Sequence, residues 1–368
     1  MRTIAALLEQ PKTPPSLVEL DLEAPRPGEI LVEIGASGIC HTDLSVYDAT
    51  LDNPMPIVLG HEGAGTVVQI GEGVTRLAPG DRVVLAWLAQ CGGCFYCLRG
   101  QPELCERAGF SFALSTLPDG STRLSHDGRP VHQMAGLGTF AHHCVVPAGS
   151  AVKVPGDLPF EAAALIGCAA LTGFGAAVNT ASIQVGDSVA VIGAGGVGLN
   201  AIQGARTAGA CTVVAVDPNR GRRERALAFG ATHALEPSPA IAREIRALTE
   251  GRGADVAIEV AGRTEAIDTA LRVTRRGGQV VLVGAGGEDA LLSVPAFASV
   301  VMTGKRILGS LYGSANVRRD VPRLVQLYRS GTLRLDELVT ETFELDRIDE
   351  ALAYCAQSRG TRAVVIPR

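Results

Sequence analysis

Residues 188–210, SVAVIGAGGVGLNAIQGARTAGA, run from an apolar stretch through a glycine cluster into a helix-forming segment. No other part of the chain constrains the fold as tightly. Gly193, Gly195 and Gly198 stand in a G-x-G-x-x-G pattern. Alone that pattern is weak, but between a strand and a helix it has a mechanical meaning. One glycine makes the turn, one lets a pyrophosphate approach the backbone, and the third lets helix and strand pack. The amino end of the helix then faces the phosphate charge. Asp217 ends the next apolar run, TVVAVD. An acid there accepts hydrogen bonds from ribose hydroxyls and repels a 2′-phosphate, so NAD(H) is expected over NADP(H). Arg220, Arg222 and Arg223 pull the other way, as receivers of a 2′-phosphate, or else they form the solvated start of a helix.

Further apolar runs follow: ADVAIEVAG, GQVVLVGAG and KRILGSLYG, with helical patterns RGRRERALAFG and PAIAREIRALTEG between the early ones. Strands alternating with helices predict βαβ units and a buried parallel sheet. Residues 1–160 read differently. Short apolar runs such as EILVEIGASGIC, EGAGTVVQIG, GDRVVLAWL and HHCVVPAGSAVKVP are broken by Pro and Gly, which predicts a β-rich domain. The tail returns to mixed character, with helices expected in DVPRLVQLYRSG and IDEALAYCAQ and strands in LVTETFEL and RAVVIP.

Residues 91–105, CGGCFYCLRGQPELC, hold Cys91, Cys94, Cys97 and Cys105. Nine cysteines in 368 residues are too sparse, and too odd in number, for a secreted disulfide scaffold. An iron–sulfur cluster also takes four thiolates, but bacterial cluster motifs continue C-x3-C-P, whereas Cys105 comes later and precedes Glu106. Structural zinc takes four thiolates in a closed tetrahedron and is the favoured reading, the cluster being its alternative. Gly92, Gly93, Arg99, Gly100, Gln101 and Pro102 read as loop. Four protein ligands leave no open position, so this is a staple and not a reaction centre.

The net charge of −5 argues against a general binder of nucleic acid or anionic membranes. MRTIAALLEQPKTP is a poor signal peptide, and no run of about 18 apolar residues is free of charge and glycine clusters. A cytoplasmic protein is expected.

Cys40 in GICHTDL, His61 in LGHEGAG and Cys168 in IGCAALTG each read, taken singly, as core rather than as metal ligand. The order of motifs decides. CHTD, GHEGAGTVVQIGEGV, the four-cysteine lobe, GCAALTGFGAAVNTA and GAGGVG together resemble the zinc-dependent medium-chain alcohol dehydrogenases over essentially the whole chain. The resemblance implies an α/β protein with a GroES-like catalytic domain, residues 1–169 and 312–368, and a doubly wound Rossmann coenzyme domain, residues 170–311. It implies two zinc ions per chain, NAD(H), and a homo-oligomer with a dimer favoured. Cys40, His61 and Cys168 would bind the catalytic zinc, in the Cys2His set known for this enzyme class. Glu62 would be the nearby acid, Asp43 the carboxylate that orients His61, and Thr42 the hydroxyl that relays the alcohol proton. His41 and Arg362 would contact the pyrophosphate, and Arg222 the adenosine ribose. Trp87, Met134, Ala135 and Ala285 would line the substrate pocket. One departure stands out: many relatives place a relay histidine three residues after the threonine, where this chain has Ser45.

The implied reaction is oxidation of primary alcohols, medium-chain or aromatic, and reduction of the matching aldehydes. Oxidation of S-hydroxymethyl thiol adducts is the alternative. FSFALSTLPDGSTRLSHDGRPVHQM is similar to the extra loop of thiol-adduct formaldehyde dehydrogenases, and VVLAWLAQCGGC, GLGTFA and GARTAGA to mycothiol-dependent and nicotinoprotein members. Glutathione-dependent members carry an arginine at about the place of Gly109; here Arg107 is the nearest. A non-catalytic nucleotide-binding scaffold would typically lose Cys40, His61, Cys168 and Thr42, and all four are present.

Overall fold

The computed structural model describes residues 1–287 and 289–367, the side chain of residue 110 excepted. The chain divides into two compact units.

The first unit comprises Met1–Ala169, Asn316–Ser330 and Arg334–Arg368. Five strands close a small barrel: Arg2–Leu8, Ser16–Leu22, Leu124–His126, Arg129–Gln133 and Ile57–Val58. Beside it lies a seven-stranded sheet whose central strand, Glu29–Gly38, pairs antiparallel with Glu62–Ile70, His143–Pro147 and Arg362–Ile366. Side chains alternate across a strand, and this one uses both faces. Ile30, Val32 and Ile34 join a core with Val67, Val83, Leu85 and Val146. Leu31 joins the barrel core with Leu7, Leu20, Val131 and Phe140. The two faces together leave little of the strand exposed. A short helix, His41–Tyr47, follows that strand and is held at its start by a capping box: the Asp43 carboxylate accepts from the Cys40 N–H at 2.8 Å.

The second unit comprises Ala170–Ala315 and Gly331–Leu333. Its six parallel strands lie in the order His233–Leu235, Thr212–Val216, Ser188–Ile192, Ala254–Glu259, Thr274–Leu282 and Arg306–Gly309. Numbered along the chain that order is 3-2-1-4-5-6, the doubly wound arrangement. Ala190, Ile192, Val214, Val216, Ala257 and Val280 face helix residues Ile241, Ile245, Ile267 and Leu271 in one core. The switch point falls between Ser188–Ile192 and Ala254–Glu259, where neighbouring connections leave in opposite directions. The turn Leu311–Ser314 belongs to this unit, with the Thr180 hydroxyl 2.7 Å from Ser310 Oγ and 2.8 Å from Ser314 Oγ.

Gly92, Gly93, Arg99, Gly100 and Gln101 lie outside helix and strand, as expected, while Pro102 opens a 3-10 turn, Pro102–Leu104, and a helical turn, Phe95–Leu98, sits between the glycines. The glycines and proline there bend the chain around the thiols but do not prevent these turns. The segment after Cys105 forms a helix, Glu106–Leu114, and then the hairpin of Leu124–His126 with Arg129–Gln133. That hairpin is tied down by buried Arg123, which pairs with Glu29 and Asp119. The run Phe160–Thr180 is long and apolar enough to cross a membrane, but 83% of its most apolar window is buried inside the protein.

Candidate active site and metal centres

The first unit gathers two sets of metal-ligating side chains. In one, Cys40, His61, Glu62 and Cys168 bring their ligand atoms within 4.8 Å of one another, and all four residues are buried. The chain brings them together by topology. Cys40 ends the segment after Glu29–Gly38, His61 precedes the paired strand Glu62–Ile70, and Cys168 follows the helix Phe160–Leu165. Asp43 lies fully buried beneath them. Its Oδ1 accepts from the Gly60 N–H at 3.1 Å and stands 3.1 Å from His61 Nδ1. That contact fixes the imidazole and leaves Nε2 for the set, the usual arrangement of a metal-bound histidine.

The electrostatics fit a cation. The Cys40 thiol is held well below its ordinary range by a hydrogen bond from Cys168, against burial, with Arg362 and His61 adding to the effect. Burial works against a charged His61, but Asp43 and Cys40 carry the imidazole well above its usual value. Burial lifts the Glu62 carboxyl to about 7, against the pull of Arg362. Neither Glu62 oxygen has a hydrogen bond among the described residues, and Arg362 Nη1 stands 3.5 Å from Oε1. A buried carboxylate without donors is expensive, and a metal ion among these thiols would offset that cost. Cys2His with a nearby carboxylate is a donor set zinc accepts.

In the other set, Cys91, Cys94, Cys97 and Cys105 also lie within 4.8 Å of one another. Cys94 Sγ is 4.0 Å from Cys105 Sγ. Thiolates about 2.3 Å from a tetrahedral zinc lie about 3.8 Å apart, so the geometry suits the metal. Backbone N–H groups of Cys97 and Glu106 lower the Cys94 thiol to about 6, while burial raises Cys97 to about 12. All described cysteines are free thiols.

Thr42 sits at the edge of the first set, its hydroxyl 3.7 Å from Cys40 Sγ. Ser45, one turn further along the helix, donates to the His41 carbonyl at 3.2 Å and so points back into its own helix. His41 is exposed. Arg362, expected at a pyrophosphate, is buried, donates to the Ile39 carbonyl at 3.0 Å and faces Glu62. Trp87 packs on the barrel core and on Phe112, ring centroids 5.0 Å apart. Sequence reasoning missed Phe112, because its helix lies in a segment read as loop. Met134 and Ala135, expected as pocket lining, are core residues only 1% and 3% exposed. They belong to the apolar cluster against which Trp87 packs.

In the second unit the glycine pattern sits at the carboxyl end of Ser188–Ile192, at the switch point. Gly193 has φ +102°, and a Cβ at Gly198 would run into the Gly193 carbonyl oxygen. These two positions therefore demand glycine. Asp217 is buried. One carboxylate oxygen accepts from the Ala194 N–H at 2.8 Å and the other from the Asn219 N–H at 2.8 Å, so the acid fastens the glycine loop to the next strand. Arg222 Nη1 is 3.9 Å from that carboxylate, and Arg223 bonds to the carbonyls of Asp217 and Pro218 at 2.8 Å each. Arg220 pairs with Glu224 in solvent. Ala285 is exposed in the loop that follows Thr274–Leu282.

A dinucleotide-type sheet and a two-thiol, one-imidazole metal set define a metal-assisted oxidoreductase. Family models agree: the alcohol dehydrogenase GroES-like domain matches residues 26–156 and the zinc-binding dehydrogenase domain residues 196–330. The chain is 39% identical to an NDMA-dependent alcohol dehydrogenase of Amycolatopsis methanolica, covering 100% of this chain and 99% of that one. It is 37% identical to an S-(hydroxymethyl)glutathione dehydrogenase of Paracoccus denitrificans, with 100% of both covered. The crystal structure of benzyl alcohol dehydrogenase from Acinetobacter calcoaceticus superposes with a TM-score of 0.93 at 31% identity over 100% of both chains. The chain belongs to the zinc-dependent medium-chain alcohol dehydrogenase family. Its activity is that of an alcohol dehydrogenase, and its cofactors are zinc and NAD(H).

Proposed function

We propose that the chain oxidises primary alcohols of medium-chain or aromatic type with NAD+ and reduces the matching aldehydes. The observation that carries this reading is the convergence of Cys40, His61 and Cys168, with Asp43 behind the imidazole and the Thr42 hydroxyl at the rim. Zinc held by those three residues would polarise a substrate oxygen, and NAD(H) would take or give the hydride. The rest falls to the chain itself. Asp43 keeps His61 in one tautomer. Arg362 balances the buried charge of Glu62. Thr42 takes the hydroxyl proton and passes it to water, since Ser45 is turned into its own helix and does not titrate in the working range. Asp217 orders the glycine loop and offers its remaining acceptor capacity to ribose hydroxyls. Cys91, Cys94, Cys97 and Cys105 would hold the structural zinc. The aromatic pair Trp87 and Phe112 supports a flat or extended apolar substrate.

The second reading, oxidation of S-hydroxymethyl thiol adducts, is supported by the relative in Paracoccus denitrificans. Arg107, the nearest match to a thiol-carboxylate anchor, is exposed on the helix Glu106–Leu114. A screen of NAD+ reduction over aliphatic and aryl alcohols separates the two. It needs parallel arms with formaldehyde plus glutathione or mycothiol, and an artificial electron acceptor for a cofactor that stays bound. Turnover with aryl or medium-chain alcohols alone supports the first reading, and turnover only with the thiol adduct supports the second.

We infer a homo-oligomer, a dimer in the first instance, and a cytoplasmic location. The strand Arg306–Gly309 lies at the edge of its sheet, and nearby residues Leu291, Phe297, Val301 and Met302 are exposed apolar groups. A second copy would cover both. Free thiols throughout the described residues suit a reducing compartment.

A further inference from the structure

At the amino ends of the strands Ala254–Glu259, Thr274–Leu282 and Arg306–Gly309 lies a cleft of about 690 Å³. Its lining carries six cationic side chains, Arg246, Arg252, Arg272, Arg275, Arg276 and Lys305, against one carboxylate, Asp255. The chain as a whole carries a net charge of −5, so this concentration of positive charge runs against its overall balance.

Ordinary structure accounts for part of it. Asp255 Oδ1 pairs with Arg275 Nε at 2.5 Å. At the rim Glu250 pairs with Arg252 at 2.7 Å, and Asp268 with Arg272 at 3.3 Å. The helices Ile241–Leu248 and Thr264–Val273 end here, and Lys305 Nζ donates to the Leu271 carbonyl at 2.6 Å. Each helix end offsets about half a unit of charge. Three carboxylates and two helix ends thus balance about four of the six cations, leaving about two in excess. Arg246 and Arg276 have no ion-pair partner among the described residues, and Lys305 has only a carbonyl. Burial and the proximity of Arg246 both disfavour the charge on Lys305. Arg246 and Lys305 therefore repel one another, and an anion between them would relieve that repulsion.

We propose that this cleft binds the phosphate group of a small phosphate ester, seated against Arg246, Arg276 and Lys305. An excess of about two positive charges matches a phosphate monoester, which carries about −1.5 to −2 near neutral pH. Arginine forks suit its oxygens. The volume exceeds a bare phosphate and leaves room for the body of the ester beside Gly251, Thr274 and Thr303. The site is separate from the glycine loop. In a parallel sheet the loop after Ile192 lies at the carboxyl edge, whereas every residue of this cleft precedes or opens a strand. Five to six residues of strand separate the two edges by roughly 15–20 Å.

The test is calorimetric titration of ribose 5-phosphate, and in a second arm inorganic phosphate, into zinc-loaded protein saturated with NADH at fixed ionic strength. Saturable one-to-one binding is expected, tighter for the ester than for the free ion. Arg246→Gln and Arg276→Gln, both at exposed positions, should each weaken it about tenfold or more, with NADH affinity unchanged. Lys305→Met should do the same and checks the third contact. Binding that is absent or does not saturate in the NADH-saturated protein, that is unaltered in Arg246→Gln and Arg276→Gln, or that is equally tight for both probes would overturn the proposal.

Discussion

Asp43→Asn is the substitution that bears most sharply on how the site is built. The native carboxylate takes three hydrogen bonds on two oxygens: Cys40 N–H on Oδ2, and Gly60 N–H and the His61 imidazole on Oδ1. Asparagine keeps one acceptor and turns the other into a donor. With its oxygen at the Oδ1 position, it holds Gly60 and His61 but sets an NH2 against the Cys40 N–H and breaks the helix cap. Turned over, it loses the other two. At best one buried donor is orphaned, which costs about 1–3 kcal/mol. Loss of the charge also loosens the imidazole, and removing such a partner weakens metal affinity about 10–100-fold. Zinc content after dialysis against graded chelator should therefore fall from about two per chain to about one at chelator levels that leave the native protein intact. The four-cysteine site is the one that survives. Retention of both zincs at native chelator resistance would refute the reasoning, because it would mean that Asp43 does not hold His61 for a metal.

Further outcomes follow from other residues. Cys97→Ser should mainly lower folding stability, read by thermal denaturation, since three thiolates cannot close a structural site. Thr42→Ala should cut turnover about a hundredfold or more, while Thr42→Ser keeps it and NADH affinity is unchanged in both. Ser45→His should add a titrating group near pH 6.5 to the pH–rate profile. Asp217→Gly should weaken NAD+ and strengthen NADP+ binding in equilibrium titrations, since Arg222 is then free to meet a 2′-phosphate. Burial raises the Asp255 carboxyl, but Ser188 and Arg275 outweigh it and hold it below its usual value. A lowered folded-state value contributes stability above the unfolded carboxylate range, about pH 3.9, and loses it as pH falls through the folded value. Thermal denaturation of Asp255→Asn should therefore show a flatter acid dependence than the native protein.

The parts of the molecule that were readable from sequence are those fixed by local chemistry. The strand, glycine turn and helix of residues 188–207 are dictated by positions where a Cβ has no room, and the thiols of residues 91–105 by their spacing. Cys40, His61 and Cys168 are different. They are far apart in the chain, each reads as core alone, and only pairing of Glu29–Gly38 with Glu62–Ile70 brings the first two together. What escaped sequence reasoning was tertiary in origin. Phe112 reaches Trp87 because residues 106–114 wind into a helix, and Arg362 reaches Glu62 because Arg362–Ile366 pairs beside the end of Glu29–Gly38. The cationic cleft assembles residues from three separate strand openings. No periodicity announces such contacts.

The most direct measurement is zinc content, NADH affinity and alcohol turnover of Cys168→Ser side by side with the native protein. If Cys40, His61 and Cys168 hold the metal that acts on substrate, the variant stays folded, keeps about one zinc per chain, binds NADH as before and loses nearly all turnover. Near-native turnover at one zinc per chain would contradict the assignment.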